Sequence, residues 1–220
     1  MKIAVPILAN SMDGALRDMD RASLVADIIE LRIDYMPKSN LERLLGHTNL
    51  PIIVTNRPMR EGGRFEGNEQ DRLAYLQEAI HLKAAYVDIE ANSYYPLVRR
   101  ESTQMIVSYH NFLNTPADLD AIYQRVARYG PDITKIATMA KSYDDSQRML
   151  DLISSASAKG KIIGVCMGDK GAITRIEGPL KGGYLTFASL DKTNSLGEGQ
   201  LTVAELRRAW EFMSLPNRLA

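Results

Sequence analysis

The amino-acid sequence predicts an α/β protein, a single (β/α)8 barrel of the TIM type that forms one domain over residues 1–220. Eight short apolar, β-branched segments alternate with amphipathic ones, a pattern typical of a parallel sheet covered by helices. The 220 residues allow about 27 per repeat, enough for a strand of ~5, a helix of ~11 and two short connections. A doubly wound sheet is the alternative, but Ala9-Asn10-Ser11-Met12 is not the glycine-rich phosphate loop usual after its first strand.

The strands are predicted from runs of β-branched and aromatic residues. In chain order they cover residues 3–8, 28–33, 52–55, 86–89, 105–109, 133–138, 162–166 and 184–189. The first run is too short for a membrane span and contains Pro6, so it is predicted to be a strand rather than a signal peptide.

Local motifs predict where helices begin and which faces they bury. Residues 39–42 and 202–205 match the capping box, and Thr115 stands before a proline in a typical helix-start pair. Three apolar stripes have helical spacing: Leu73/Leu76/Ile80, Leu119/Ile122/Val126 and Leu206/Trp210/Met213. We expect these stripes to pack against the sheet rather than to bind a cofactor. The faces near Trp210 and Met213 could also pair two barrels, so the sequence allows a homodimer without requiring one.

Composition excludes several classes of partner. The chain has 27 Lys and Arg and 27 Asp and Glu, so its formal net charge is zero. Nucleic acids and anionic membranes select a surplus of Lys and Arg, so neither is the expected partner. The one cysteine, Cys166, excludes an intrachain disulfide framework and fits a reducing, cytoplasmic location. Three histidines leave little material for a zinc site.

Charged residues concentrate at the carboxyl ends of consecutive predicted strands. Period-two alternation places Glu30, Arg32 and Asp34 on one face, opposite Leu31 and Ile33. The next four strands carry Arg57, Asp88 and Glu90, Ser108 and His110, and Lys135 at or near the same end. Barrel strands are apolar on the outside, so these side chains should face inward, toward the end where barrel enzymes carry their active sites.

Each of these residues also fits a structural role. The structural interpretations are a Glu30–Arg32 ion pair, solvated Asp88 and Glu90, a hydrogen-bonded core His110, Lys135 extending from the rim, and a turn with positive φ at Gly62-Gly63. Their convergence on one mouth favours a polar pocket that receives a substrate, because a fully packed cluster of charges carries a large desolvation cost.

Lys135 indicates the type of chemistry. Apolar neighbours along its strand desolvate the amine and disfavour the ammonium form, and Arg32, Arg57 or a protonated His110 would add to this effect. An uncharged lysine is a nucleophile for ketones and forms a Schiff base, for which His110 could move the protons. The surrounding arginines indicate an anionic substrate, most simply a carboxylate.

Five motifs occur in order along the chain. They are Glu30-Leu31-Arg32-Ile33-Asp34, Arg57-Pro58-Met59-Arg60-Glu61-Gly62-Gly63, Ser108-Tyr109-His110-Asn111-Phe112, Asp132-Ile133-Thr134-Lys135-Ile136-Ala137 and Gly199-Gln200. Together they resemble the successive signatures of the type I 3-dehydroquinate dehydratase family. The resemblance implies a barrel that dehydrates 3-dehydroquinate to 3-dehydroshikimate in the shikimate pathway of aromatic amino acid biosynthesis, with no metal and no cofactor.

The resemblance also implies a role for individual residues. Lys135 would form the imine, His110 would move protons as general base and acid, and Glu61 would hold the imidazole. The implied substrate-binding residues are Glu30, Arg32, Arg57, Met167, Arg175, Phe187, Ser195 and Gln200. Arg175 would grip the substrate carboxylate, and Gln200 would belong to a closing loop.

The sequence departs from the family pattern at two places near the site. The segment from Ser195 to Gln200 is one residue longer than the usual Ser-Ala-Pro-Gly-Gln, and Asn111 stands where the family has aspartate. The alternatives are another Schiff-base barrel, such as an aldolase for a small hydroxy-keto acid, and a non-catalytic barrel that binds a carboxylate metabolite.

Overall fold

The structure, a computed structural model, describes residues 1–36, 39–194, 197 and 199–214. Its strands are β1 (Ile3–Ile7), β2 (Ile28–Arg32), β3 (Ile52–Thr55), β4 (Tyr86–Glu90), β5 (Gln104–Asn111), β6 (Ile133–Met139), β7 (Lys161–Met167) and β8 (Thr186–Phe187). Its α-helices are α1 (Met12–Ser23), α2 (Leu41–Leu45), α3 (Glu69–His81), α4 (Leu119–Ala127), α5 (Tyr143–Ser157), α6 (Ala172–Leu180) and α7 (Val203–Ser214). Among the described residues, no helix has both the length and the apolar character needed to cross a lipid bilayer.

The eight strands form one parallel sheet in the order β7-β6-β5-β4-β3-β2-β1-β8. The sheet curls until β7 and β8 meet, where the backbone N–H of Tyr184 donates to the Ile162 carbonyl at 2.7 Å. The architecture is therefore the predicted (β/α)8 TIM barrel, with all carboxyl ends of the strands on one face.

One connection lacks the α-helix that the alternating pattern predicts. Between β4 and β5, residues 91–103 form only a short 3-10 helix, Ala91–Ser93, followed by irregular chain. A similar one-turn helix, Met59–Glu61, follows β3. Both turns lie at the carboxyl-terminal face, and the turn after β3 carries Glu61.

The inside of the barrel changes character along its axis. An apolar cluster fills the amino-terminal half: Ala4, Ile28, Ile53, Tyr86, Ile106, Ile133, Ile163, Leu185 and Phe187. Two residues further along five of these strands, the inward positions are polar: Glu30, Thr55, Asp88, Ser108 and Lys135. A second, larger apolar cluster, which includes Ile29 and Leu31, packs between the strands and the helices. The predicted alternation is confirmed, and it places a polar chamber on an apolar floor.

Two of the three predicted helix starts are wrong. Asn40 rather than Ser39 caps α2, because its side chain accepts the Arg43 N–H at 2.9 Å. Thr115 caps no helix, since α4 begins at Leu119 and the Thr115 hydroxyl instead donates to the Met139 carbonyl at 3.0 Å.

The capping box before α7 is confirmed. The Thr202 hydroxyl accepts the Glu205 N–H at 3.2 Å, and the Glu205 carboxylate accepts the Thr202 N–H at 2.9 Å. The helix stripes are also buried at Leu76, Ile80, Val126 and Leu206, whereas Met213 at the end of α7 is exposed.

Candidate active site

A cavity of about 320 Å³ opens at the carboxyl-terminal face of the barrel. The sequence-predicted residues that line it are Glu30, Arg32, Arg57, Glu61, His110, Lys135, Met167, Arg175, Phe187 and Gln200. Ser195 lies outside the described residues. A second cavity of about 370 Å³, between the connections that follow β2 and β3, contains none of the predicted catalytic or substrate-binding residues.

Lys135 extends from the middle of β6 into the barrel and is buried. Its Nζ donates to Asp88 Oδ2 at 2.8 Å, lies 4.0 Å from Glu30 Oε1, and lies 4.5 Å from the centre of the Phe187 ring. Apolar and cationic neighbours were expected around this amine, whereas an anion, the Asp88 carboxylate, contacts it. The amine is thus held in place by an ion pair on the cavity floor.

Arg57 is the centre of a buried ion network under the cavity. Its guanidinium donates to Glu90 Oε1 at 2.8 Å, to Ser108 Oγ at 2.9 Å and to Asp88 Oδ2 at 2.9 Å. The second Glu90 oxygen accepts from Arg72 of α3 at 2.6 Å. The interpretation of Asp88 and Glu90 as solvated strand-end residues is therefore wrong, because both are fully buried.

The network fixes the charge states of its members. Burial alone would raise the pKa of Asp88, but the charges of Arg57 and Lys135 outweigh burial and hold that pKa far below its usual range. Burial would lower the pKa of Arg57, and Asp88 and Glu90 instead hold it above its usual value. For Glu90, burial dominates and raises the pKa. Asp88 is therefore a permanent anion beside the Lys135 amine.

His110 and Glu61 form the second part of the site. The His110 Nδ1 is buried, has no hydrogen-bond partner among the described residues, and lies 3.7 Å from Glu61 Oε2. Burial, with a contribution from the charge of Arg57, lowers the pKa of His110, so the imidazole is neutral at neutral pH. Burial would raise the pKa of Glu61, but His110 and a hydrogen bond from Asn92 outweigh it, so Glu61 is ionised. The Phe112 ring stacks on the imidazole with centroids 5.9 Å apart.

The other two cavity arginines differ in how their charge is met. Arg32 makes a bidentate pair with Asp34, with N–O distances of 2.8 and 2.7 Å. Arg175, on α6, has a buried Nε without a hydrogen-bond partner, and no carboxylate in the described part of the chain lies within ion-pair distance of it. Burial lowers the pKa of Arg175 to about 10, which still leaves it cationic at neutral pH. Arg175 is therefore the guanidinium best suited to bind an external anion.

Six further residues line the cavity and were not predicted as site residues from the sequence. They are Gly62, Phe112, Ala137, Met139, Val165 and Gly197. The period-two alternation of β6 could have identified Ala137 and Met139, and Phe112 belongs to a motif already singled out. Gly62 has φ of 75°, as the predicted turn requires, and a Cβ at that position would lie 2.4 Å from the Phe112 ring.

Asn111, which follows His110 at the end of β5, acts on the local backbone. Its side-chain oxygen accepts the N–H groups of Leu113 and Asn114 at 2.9 and 3.1 Å. This is a turn-capping arrangement, so Asn111 shapes the chain after β5 rather than the cavity, which it does not line.

The fold and the cavity together define the class of protein. Parallel barrels carry their chemistry at the carboxyl ends of the strands. That end holds a buried lysine, a neutral imidazole beside a carboxylate, and a guanidinium with no carboxylate partner among the described residues, all around one small cavity. The molecule is a TIM-barrel enzyme with a site for a small molecule.

Comparison with known proteins identifies the family. A family model described as Type I 3-dehydroquinase matches residues 3–216. The 3-dehydroquinate dehydratase of Methanocaldococcus jannaschii is 37% identical over 222 residues, covering 97% of this chain and 99% of that protein. The chain belongs to the type I 3-dehydroquinase family and is a hydro-lyase.

A longer relative and a solved structure agree with this assignment. The chain is 35% identical to the chloroplastic bifunctional 3-dehydroquinate dehydratase/shikimate dehydrogenase of Arabidopsis thaliana, with 96% of the chain covered, but it spans only 37% of that protein. The crystal structure of 3-dehydroquinate dehydratase from Geobacillus kaustophilus superposes with a TM-score of 0.84 at 28% identity, covering 99% of this chain and 92% of that one.

Proposed function

We propose that this chain dehydrates 3-dehydroquinate to 3-dehydroshikimate through a Schiff base on Lys135, as a cytoplasmic enzyme of the shikimate pathway. The single observation that carries the proposal is the placement of Lys135 and His110 on adjacent strands, facing one cavity. Family membership supports the substrate, since relatives along nearly the whole chain are 3-dehydroquinate dehydratases.

Lys135 supplies the nucleophile in this proposal. Once deprotonated, its Nζ adds to the substrate ketone, and loss of water gives an iminium that keeps one positive charge. The Asp88 carboxylate, 2.8 Å from Nζ, pairs with the ammonium before the reaction and with the iminium after it. The same ion pair therefore positions the amine and stabilises the covalent intermediate.

His110 transfers the protons. The iminium withdraws electrons, so the neighbouring C–H becomes acidic, and the neutral imidazole removes that proton to give an enamine. The enamine then expels the hydroxyl group on the next carbon, which leaves as water with the proton from His110. Glu61 stabilises the imidazolium between these steps, and hydrolysis of the product iminium restores the amine.

The remaining cavity residues hold the substrate. Arg175 binds the carboxylate, since its buried guanidinium has no carboxylate partner in the part of the chain that the structure describes and so gains most from an external one. Glu30, Arg32 and Arg57 face the hydroxyl groups of the ring, Met167 and Phe187 form apolar walls, and Gln200 closes one side. On the sequence resemblance alone, we also propose that Ser195 binds the substrate.

Borohydride reduction tests the proposal directly. In the presence of 3-dehydroquinate, reduction should attach the substrate skeleton irreversibly to Lys135, as seen by mass spectrometry of the digested protein. Absence of an adduct would favour the non-catalytic carboxylate-binding barrel. Appearance of the conjugated enone product by ultraviolet absorbance would separate a dehydratase from a Schiff-base aldolase, which gives no such product.

A further inference from the structure

The two 3-10 turns at the carboxyl-terminal face are joined by paired side-chain contacts. From the turn after β4, Asn92 Nδ2 donates to Glu61 Oε1 at 3.0 Å. In the same turn, Ser93 Oγ accepts from the Arg60 guanidinium at 2.7 Å. Two consecutive residues of one turn thus hold two consecutive residues of the other. Neither Asn92 nor Ser93 lines the cavity.

We propose that Asn92 is a positioning residue that orients Glu61 toward the proton-transfer histidine. Its amide anchors one carboxylate oxygen, Oε1, which leaves the other, Oε2, facing His110 Nδ1. This inference rests on the proposed function, since it requires that His110 transfers protons. It assigns a role to a residue outside the sequence motifs, in the connection that lacks an α-helix.

The geometry explains why an anchor is needed. The 3.7 Å between Glu61 Oε2 and His110 Nδ1 is longer than a hydrogen bond, and catalytic hydrogen bonds often tighten only when substrate binds. A carboxylate fixed at one oxygen needs only a small rotation to close that distance. Bonding at Nδ1 then keeps the proton on Nδ1 and leaves Nε2 free to act on substrate.

The electrostatics point in the same direction. The charged and titratable groups that act on Glu61 are His110, Arg57 and the neighbouring Arg60. The Asn92 amide adds a hydrogen bond to the ionised carboxylate without adding a charge, and it contributes to lowering the pKa of Glu61. Loss of the amide should therefore raise the pKa of Glu61. Since the protonated pair is inactive, the acid limb of the rate profile should move to higher pH.

Three variants test the role of Asn92. N92A removes the amide, N92D keeps its shape but places a second carboxylate against Glu61, and S93A is the matched control because Ser93 contacts Arg60 instead. We expect N92A to lower kcat about 10-fold with KM within about twofold, and N92D to lower it further. Both should shift the acid limb upward, whereas S93A should leave the profile unchanged. Borohydride capture at Lys135 should stay at the wild-type level in all three.

The outcomes separate the possible failures. Wild-type kcat and an unshifted profile in N92A would overturn the positioning role. A higher kcat in N92D than in N92A would also overturn it, because shape alone would then matter. If the wild-type protein itself gives no adduct and no enone, the proposed function fails instead. Thermal melting checks the fold of each variant. If N92A does not fold, N92D still tests the proposal through its effect on kcat and on the acid limb of the pH profile.

Discussion

At the scale of single residues, the three cavity arginines show how charge is allotted. Arg57 is neutralised by Asp88 and Glu90, Arg32 is neutralised by Asp34, and Arg175 has no carboxylate partner in the described part of the chain. A paired buried charge contributes structure, whereas an unpaired one retains affinity for an incoming anion. Residue type alone does not distinguish these cases, so the sequence placed all three arginines in the substrate-binding group.

We predict opposite costs for removing Arg57 and Arg175. Arg57→Ala removes one of the two cations that contact each of the buried carboxylates Asp88 and Glu90, and the excess of buried negative charge should lower the free energy of unfolding by about 3–5 kcal/mol. Arg175→Ala leaves no described carboxylate without its cation, so the free energy of unfolding should change far less, while KM for 3-dehydroquinate should rise about 10- to 100-fold. Denaturant unfolding and steady-state kinetics on both variants measure this. An unchanged KM in Arg175→Ala would refute carboxylate binding there.

Replacing Lys135 and replacing His110 should have different effects on turnover and on adduct formation. Lys135→Ala should abolish turnover and borohydride capture while substrate still binds, because only the nucleophile is lost. His110→Ala should slow turnover about 10²- to 10⁴-fold, the usual contribution of a general acid–base, yet still form the adduct. Calorimetry measures substrate binding by each variant, and mass spectrometry measures formation of the borohydride adduct. Normal turnover in Lys135→Ala contradicts the mechanism, and so does a His110→Ala protein that forms no adduct.

At the scale of secondary-structure elements, the strands were predictable and the connections were less so. Strand positions follow from local β-branched runs, and all eight predicted runs overlap observed strands, although β8 is only Thr186–Phe187. The start of a helix depends on whether a nearby side-chain hydroxyl bonds to the helix backbone or to another partner. The Thr115 hydroxyl is used by Thr138 and Met139, which lie far along the chain, and no local motif contains that information. Likewise, no sequence motif between β4 and β5 indicated that this connection would lack an α-helix.

The capping box of α7 offers a test at this scale. Thr202→Ala removes the acceptor for the Glu205 N–H and should lower the free energy of unfolding by about 1 kcal/mol. Thr202→Ser retains the hydroxyl and serves as the control, with a loss of no more than a few tenths. Chemical denaturation compares the two variants. Equal losses would show that the methyl group, and not the cap, accounts for the effect.

At the scale of the whole molecule, the fold and most of the site follow from one rule. Alternation on parallel strands sends every second residue inward, and that rule alone gathers Glu30, Arg57, His110 and Lys135. It does not say how these groups pair, because pairing depends on side-chain reach across strands. Asp88 was therefore noted as a charge but not recognised as the partner of Lys135. A homodimer stays a prediction, which sedimentation would test.

Buried titratable groups predict how the whole protein responds to acid. The pKa values of His110, Glu61 and Asp88 are lowered in the folded state, so the unfolded chain takes up protons first as the pH falls. Stability should therefore decrease with falling pH, His110 acting between about pH 7 and 4 and the carboxylates below about pH 5. Melting temperatures across this range measure the effect. The matched variant His110→Asn should show a flatter dependence above about pH 5, and an equally steep one would refute the assignment.

The apolar floor of the barrel also determines how substrate enters and how product leaves. Because Ile28, Ile106, Ile133 and their neighbours fill the amino-terminal half of the described barrel, we expect substrate to reach Lys135 only from the carboxyl-terminal opening. The product must leave through the same opening before another substrate molecule can enter. Product and substrate thus compete for one passage, so added 3-dehydroshikimate should act as a purely competitive inhibitor.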